Sequence, residues 1–424
     1  MGSDRVALSS AQKRGFWAAW LGWTLDGMDS FIFALVLAPA LTELLPKSGM
    51  DGSPAHVVFA GSVLFAVFLA GWGSSIVWGP LADRWGRTRT LAASVACYAL
   101  FTGAAAFSQN VWQLGAFRFL AGLGIGGEWA LAGTYVAEVW PESRRKMGAG
   151  YLQTGYYAGF FLAAALNFTL GATHGWRTMF LVGGAPVLLA LYMLSRLKEP
   201  ERWMRTSEGA PRHSPLRRIF ARDYRRRTLV NSALVTVSII GLWAGAVYEP
   251  AAIITLAKHA GYAGPQAIRL ASLGTGLLSI GTCLGCLALP PLAEWIGRRG
   301  TLALYFLGMA VFIWLCFGWA FYAGNGALAL FIALLFPLGF FGGNFAVYSL
   351  WLPEQYSTAV RATAFAFATS FGRFIGAGAN FLIGAGVHGY GSMGMPVAAT
   401  SLAFLAGILV LPFAVETRGE TLPD

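Results

Sequence analysis

Charge is scarce in this chain. Asp, Glu, Lys and Arg together make up 12% of 424 residues, while hydrophobic residues reach 56%, which excludes a disordered chain or an ordinary water-soluble domain. Histidine is nearly as rare. His56, His174, His213, His259 and His388 all fall at the edges of apolar runs or in the one long polar stretch, so no metal site and no cofactor is expected. The four cysteines, Cys97, Cys283, Cys286 and Cys316, lie in apolar runs. Cys283-x-x-Cys286 has redox spacing, but no second pair or histidine accompanies it, and close helix packing is the simpler reading. With no Ser, His or Cys constellation for nucleophilic chemistry, an enzyme is not expected. The opening MGSDRVALSSAQKRG lacks a signal-peptide cleavage site, so the first apolar run is expected to stay in the membrane.

Long apolar runs are what the chain has in abundance. A bilayer crossing takes about 20 residues. Twelve crossings are read at 16–45, 56–78, 90–107, 111–139, 147–170, 176–197, 228–257, 266–289, 301–323, 328–352, 362–387 and 393–415. The expected organisation is a six-helix bundle over 1–197, a basic linker over 198–227 and a second six-helix bundle over 228–424. The net charge of +11 invites a nucleic-acid reading, but position excludes it. Of the 30 Lys and Arg, 24 fall in the two termini and every second loop. Lys47, Arg177, Lys258 and Arg269 lie on the opposite side, and Arg118 and Arg373 lie inside spans. This asymmetry places both termini in the cytoplasm of an inner-membrane protein. The linker, with its run of arginines, reads as a solvated segment touching anionic lipid.

Ionisable residues inside the spans point to function, because an ionised acid at mid-bilayer costs roughly 2.5–3.5 kcal/mol. Asp26 and Asp29 sit about 60° apart on the first span. Glu128 lies midway through the fourth. Arg118 is about 15 Å from it along the same helix, so the two cannot pair there. Glu128 is therefore free to carry a proton, and Arg118 needs another acid or an anionic ligand. Arg373, with Thr369 and Asn380 on one face of the eleventh span, makes a polar stripe suited to a substrate carboxylate, which a guanidinium fork grips with two hydrogen bonds. Gln153, Tyr156 and Tyr157 on the fifth span, Asn344 and Tyr348 on the tenth, and Glu249 on the seventh are further candidates for the substrate cavity. Asp26, Asp29 and Glu128 are the candidates for proton coupling. A proton carried with a monoanion also cancels an electrical cost of about 2.3 kcal/mol per 100 mV.

The two sides of the linker look like copies. Asp83 and Gly86 in GPLADRWGR recur as Glu294 and Gly297, each 211 residues on, and Glu138 with Arg145 recurs as Glu354 with Arg361, each 216 residues on. Half-length repetition is how many transporters are built, with the substrate site between the halves.

Residues 79–91, GPLADRWGRTRTL, resemble the signature loop of the major facilitator superfamily, and 118–138, RFLAGLGIGGEWALAGTYVAE, resemble its fourth-span signature. Lys198-Glu-Pro-Glu-Arg-Trp203 and Glu416-Thr-Arg-Gly419 resemble the endings of its two halves. Within it, Asp26-Gly-x-Asp29, Gly126-Gly-Glu-Trp129 and Gly372-Arg373 are similar to the proton-coupled organic-acid symporters of the sialate and aromatic-acid branches. Glu249 departs from that branch, where an uncharged residue is usual. The resemblance implies an all-α membrane protein, two pseudo-symmetric six-helix bundles rocking around a central cavity, working as a monomer on a small organic anion and protons. It also implies a cytoplasmic gate of Asp83, Arg84, Arg87, Glu138, Arg144 and Arg145, with Glu294, Arg298, Glu354 and Arg361 as its twin. Other readings compete. A sugar or polyol porter would not need Arg373, and a membrane-embedded substrate sensor would bind without moving its ligand. Gly122-x-Gly124-x-x-Gly127 matches a dinucleotide-binding pattern but lies inside an apolar helix with no preceding strand, so close helix approach is the expected role.

Overall fold

The computed structural model describes residues 8–207, 215–262 and 265–423; the expectations that fall on residues 1–7 and His213 lie outside them. Among the described residues there is no strand. In the first half, α1 is Ser10–Lys47, and α2 is Pro54–Gly73, running through a 3-10 turn at Ser74–Val77 into Trp78–Trp85. Next come α3 (Arg87–Ala105), α4 (Val111–Val139), α5 (Glu142–Leu166) and α6 (Trp176–Gly183 with Val187–Arg196). In the second half, α7 is Arg225–His259, α8 Pro265–Trp295 and α9 Gly297–Ile313. α10 is Ala327–Gly342 with Phe345–Glu354, α11 Arg361–Tyr390 and α12 Gly394–Ala398 with Ser401–Val410.

Helix starts follow local chemistry. Ser9 opens α1 with a capping box: its hydroxyl accepts the Gln12 amide at 3.2 Å, and the Gln12 side chain accepts the Ser9 amide at 2.9 Å. Asn110 caps α4 on the Gln113 amide at 2.9 Å. The helices extend past several of the apolar runs that announce them. α8 continues to Trp295, and α7 begins at Arg225, so three arginines read as linker form its first turn. Hydropathy marks where a helix leaves the lipid, not where it ends. α10 breaks at Gly343 and Asn344, a break the apolar pattern did not announce.

In the first half α1 packs on α5 and α2 and α3 on α4; in the second α7 packs on α11 and α8 on α10. The halves meet where α5 lies against α8 and α2 against α11. These two seams are related by the shift of six helices that relates the halves. The glycine pattern in α4 belongs to this packing. A Cβ on Gly122 would strike the Phe68 carbonyl, and one on Gly124 the Tyr98 amide. One on Gly127 would enter the Trp78 ring. Backbones approach closely because these positions have no side chain. Large apolar residues such as Leu188, Phe381 and Leu409 point outward, each about 70% exposed, which suits lipid and not water.

Candidate functional site

A small cavity lies between the halves. Arg373 of α11 lines it with Trp23, Trp72, Trp129, Tyr156 and Phe345, so a single guanidinium faces an aromatic wall. The guanidinium carbon stands 4.4 Å from the Trp72 ring centre and 5.8 Å from that of Trp129. Arg373 is 3% exposed, its Nη1 has no hydrogen-bond partner, and it joins no ion pair among the described residues. A buried cation of this kind is incomplete without an anion. The cavity is tight, about 20 Å³, with room on the order of one water. Substrate entry therefore requires the wall to move.

The acids divide by their neighbours. Both carboxylate oxygens of Glu128 are buried without a hydrogen-bond partner, packed against Gly22 of α1. Asp26 has one distant contact, from the Ser30 hydroxyl at 3.4 Å, and its other oxygen is unpartnered. Asp26 and Arg373 are near enough for their charges to couple, yet they form no ion pair. Asp29 differs. Arg118 donates to both its oxygens at 3.1 and 3.3 Å, and the Thr102 hydroxyl adds 2.9 Å. The Arg118 guanidinium also lies over the Phe33 and Phe68 rings at 4.5 and 4.8 Å. The acid that Arg118 requires is thus Asp29, on a neighbouring helix, and neither lines the central cavity.

Of the other expected residues, Gln153, Tyr156 and Tyr157 line the cavity with Arg373. Asn344 lines an adjoining one. Tyr348 is turned into the α7 contact, donating to the Leu234 carbonyl at 2.7 Å. Among the described residues Glu249 accepts from Thr275 of α8 alone, at 3.1 and 3.4 Å, and it lines neither cavity. The stripe expected around Arg373 does not act as a unit, because the Thr369 hydroxyl bonds back to the carbonyls of Phe365 and Ala366 and Asn380 lines neither cavity. Cys283 and Cys286 are free thiols. Sequence reasoning found Tyr156 and Tyr157 but missed the tryptophans and Phe345 of the wall. Trp129 stood beside Glu128 in a quoted motif, but nothing in the pattern set Trp23, Trp72 or Phe345 apart from packing aromatics.

On the face that carries the basic loops the halves are interlocked. Glu138 accepts from Arg87 of its own half at 3.2 Å and from Arg361 of the other at 2.7 Å. Its counterpart Glu354 accepts from Arg298 of its own half at 2.9 and 3.0 Å and from Arg145 of the other at 3.1 Å. Asp83 pairs with Arg87 at 2.7 Å and accepts the Thr363 amide at 3.0 Å at the start of α11. In the matching place Glu294 pairs with Lys146 and Arg298, each at 2.6 Å. The charged residues read as two twin clusters form one crossed set, which links the halves across this face. Arg84 and Arg144 join none of its ion pairs among the described residues. Glu199 and Glu416 brace it by accepting the first amides of α3 and α9, Thr88 and Arg89 for one and Arg298 and Arg299 for the other, at 3.0–3.1 Å. Gly86 and Gly297, at φ +114° and +81°, make the turns that present those amides.

This architecture, two six-helix halves closed on one face around a buried site, is that of a membrane transporter rather than an enzyme. The Major Facilitator Superfamily profile matches residues 19–380, and the chain belongs to that family. A Cupriavidus pinatubonensis protein named "Probable 4-methylmuconolactone transporter" is 32% identical, covering 98% of this chain and 93% of its own. The cis,cis-muconate transport protein of Acinetobacter baylyi is 28% identical over 97% and 96%. Among solved structures, the proton:xylose symporter XylE bound to 6-bromo-6-deoxy-D-glucose superposes with a TM-score of 0.81 over 98% of each chain at 20% identity, which speaks for the fold.

Proposed function

We propose that this protein is a proton-coupled symporter of an organic acid anion, and that its substrates are aromatic or ring-derived carboxylates. The observation that carries the reading is Arg373, a buried guanidinium with an open donor facing an aromatic wall between the halves. A planar carboxylate satisfies the guanidinium fork, and a flat conjugated body stacks on tryptophan faces. Relatives named for methylmuconolactone and muconate transport support an organic-acid substrate.

Glu128 and Asp26 are the proposed proton carriers. Both are buried in the first half and form no ion pair among the described residues, whereas Asp29 is paired with Arg118. The anion site is on α11 of the second half, so the two ligands draw the halves together from opposite sides. Once Arg373 holds a carboxylate and the acids hold a proton, the site is close to neutral and can be re-exposed with little electrical cost. The basic face is proposed as cytoplasmic, both termini with it, in an inner membrane. Residues 1–197 and 228–424 rock as bundles about the 198–227 linker. Proteoliposomes holding the full chain test this. An imposed inward proton gradient is expected to drive accumulation of labelled benzoate-type acids but not hexoses, and Glu128→Gln to abolish the gradient dependence. Uptake indifferent to the gradient refutes the coupling, and uptake unaffected by Arg373→Ala refutes the anion site.

A further inference from the structure

A second void adjoins the first. Tyr157, Leu242 and Phe345 line both, so a ligand anchored at Arg373 enters the second void by passing this trio. It is the roomier of the two, at about 50 Å³. Gly241, Gly339 and Gly342 thin its wall, and Met309, Ile313 and Leu338 make the rest largely apolar. Among the described residues no charged one lines it.

Besides the hydroxyls of Tyr157 and Ser279, for which the described residues supply no hydrogen bond, that wall holds one fully buried polar atom without a partner. Asn344 is fully buried at the break in α10, its Nδ2 donates to the Phe341 carbonyl at 3.0 Å, and its Oδ1 has no donor. The Phe341 bond fixes which end of the amide is open. Thr282, also in the wall, cannot supply the donor, because its hydroxyl donates to the Leu278 carbonyl at 2.8 Å. The break in the helix places a buried acceptor beside an apolar void that connects to the anion site.

We propose that this void is a subsite for the far end of the substrate, and that Asn344 Oδ1 accepts a hydroxyl there. The inference rests on the reading that the substrate carboxylate lies at Arg373. It narrows the class to aromatic monocarboxylates with a hydroxyl opposite the carboxylate. A dicarboxylate is disfavoured, because its second charge meets no cation in the second void. A site built around a hydrogen bond rejects the analogue that lacks the donor, since its own polar group is then left unpaired.

The test is competition against labelled benzoate uptake by the full chain in proteoliposomes, using 4-hydroxybenzoate, 4-methylbenzoate and terephthalate. The hydroxy and methyl compounds are similar in size and differ in the donor. The hydroxy acid is expected to compete about tenfold better than the methyl acid, and terephthalate worse than either. In Asn344→Leu the ratio is expected to collapse to about one. A wild-type ratio near one overturns the proposal without needing any variant. So does a monodisperse Asn344→Leu protein in which both competitors weaken by the same factor, which marks Asn344 as structural, or a terephthalate that competes as well as the hydroxy acid. If none of the acids is carried, or Arg373→Ala transports them normally, the anion site itself fails and this subsite with it.

Discussion

Replacing Glu138 by Gln keeps the shape of the side chain and removes the charge shared by Arg87 and Arg361. Glu138 is fully buried, as are both guanidiniums. The two arginines do not contribute alike to the conformational equilibrium. Arg87 belongs to the same half as Glu138, so its bonds to Glu138 travel with that half and largely cancel between states, while its 2.7 Å bond to the Thr358 carbonyl of the other half is left in place by the substitution. Arg361 belongs to the other half, and its 2.7 Å bond exists only while the basic face is closed. A hydrogen bond to a charged partner contributes about 1.5–3 kcal/mol, so the bias against the closed state is on the order of 2 kcal/mol, about thirtyfold. Spin labels on the exposed positions Arg84 and Trp295, in a background without the native cysteines, report the opening as a distance distribution. Wild type is expected to show mainly the short distance, and Glu138→Gln to gain a long one at the expense of the short. Arg145→Ala, which takes the crossing partner from Glu354, is expected to act in the same direction. A distribution unchanged by Glu138→Gln, accompanied by a lower melting temperature, refutes the reasoning. It would mean that Glu138 holds its own half together and has no part in closing the face.

Three further outcomes are expected. Arg373→Lys keeps the charge but loses the fork and its stacking on Trp72, so carboxylate affinity should fall about 10–100-fold, read by quenching of the cavity tryptophans; a lysine that binds equally well rules out fork recognition. Asp29→Asn strands Arg118 among phenylalanines and should cost about 3–5 kcal/mol of stability, seen as a lower melting temperature in detergent; an unchanged melting temperature removes the structural role given to the pair. Gly285→Ala pushes a Cβ into the Phe340 carbonyl where α8 meets α10, and should destabilise by about 1–3 kcal/mol; a neutral result denies that the approach is tight.

The helices were legible because lipid imposes a length and a composition on anything that crosses it. The expected fourth run, 111–139, coincides with α4. The crossed charges were half legible. Equal offsets revealed Glu138 and Arg145 as the counterparts of Glu354 and Arg361, but an offset cannot say that each acid takes its second arginine from the opposite half. Arg373 stood out because a lone cation in an apolar run has no bland explanation on its own helix. Arg118 stood out for the same reason, and its partner was hidden for a plain geometric cause: helical periodicity orders residues along one helix, and Asp29 reaches it from another. Tyr156 of the wall was legible beside Gln153 and Tyr157, but its tryptophans and Phe345 were not, because tryptophan and phenylalanine occur throughout the chain and their spacing carries no mark of a cavity.

The stretch from Val415 to Pro423 does more than follow the last helix. Trp351 donates to the Val415 carbonyl, Thr417 to Glu354, and Arg361 to the Pro423 carbonyl, while Glu416 holds the start of α9. A group attached beside this stretch sits within reach of the ion pairs that link the halves. Kinetic comparisons between tagged preparations will therefore carry the tag's signature, and the same proximity makes this tail a natural place to attach a reporter of turnover.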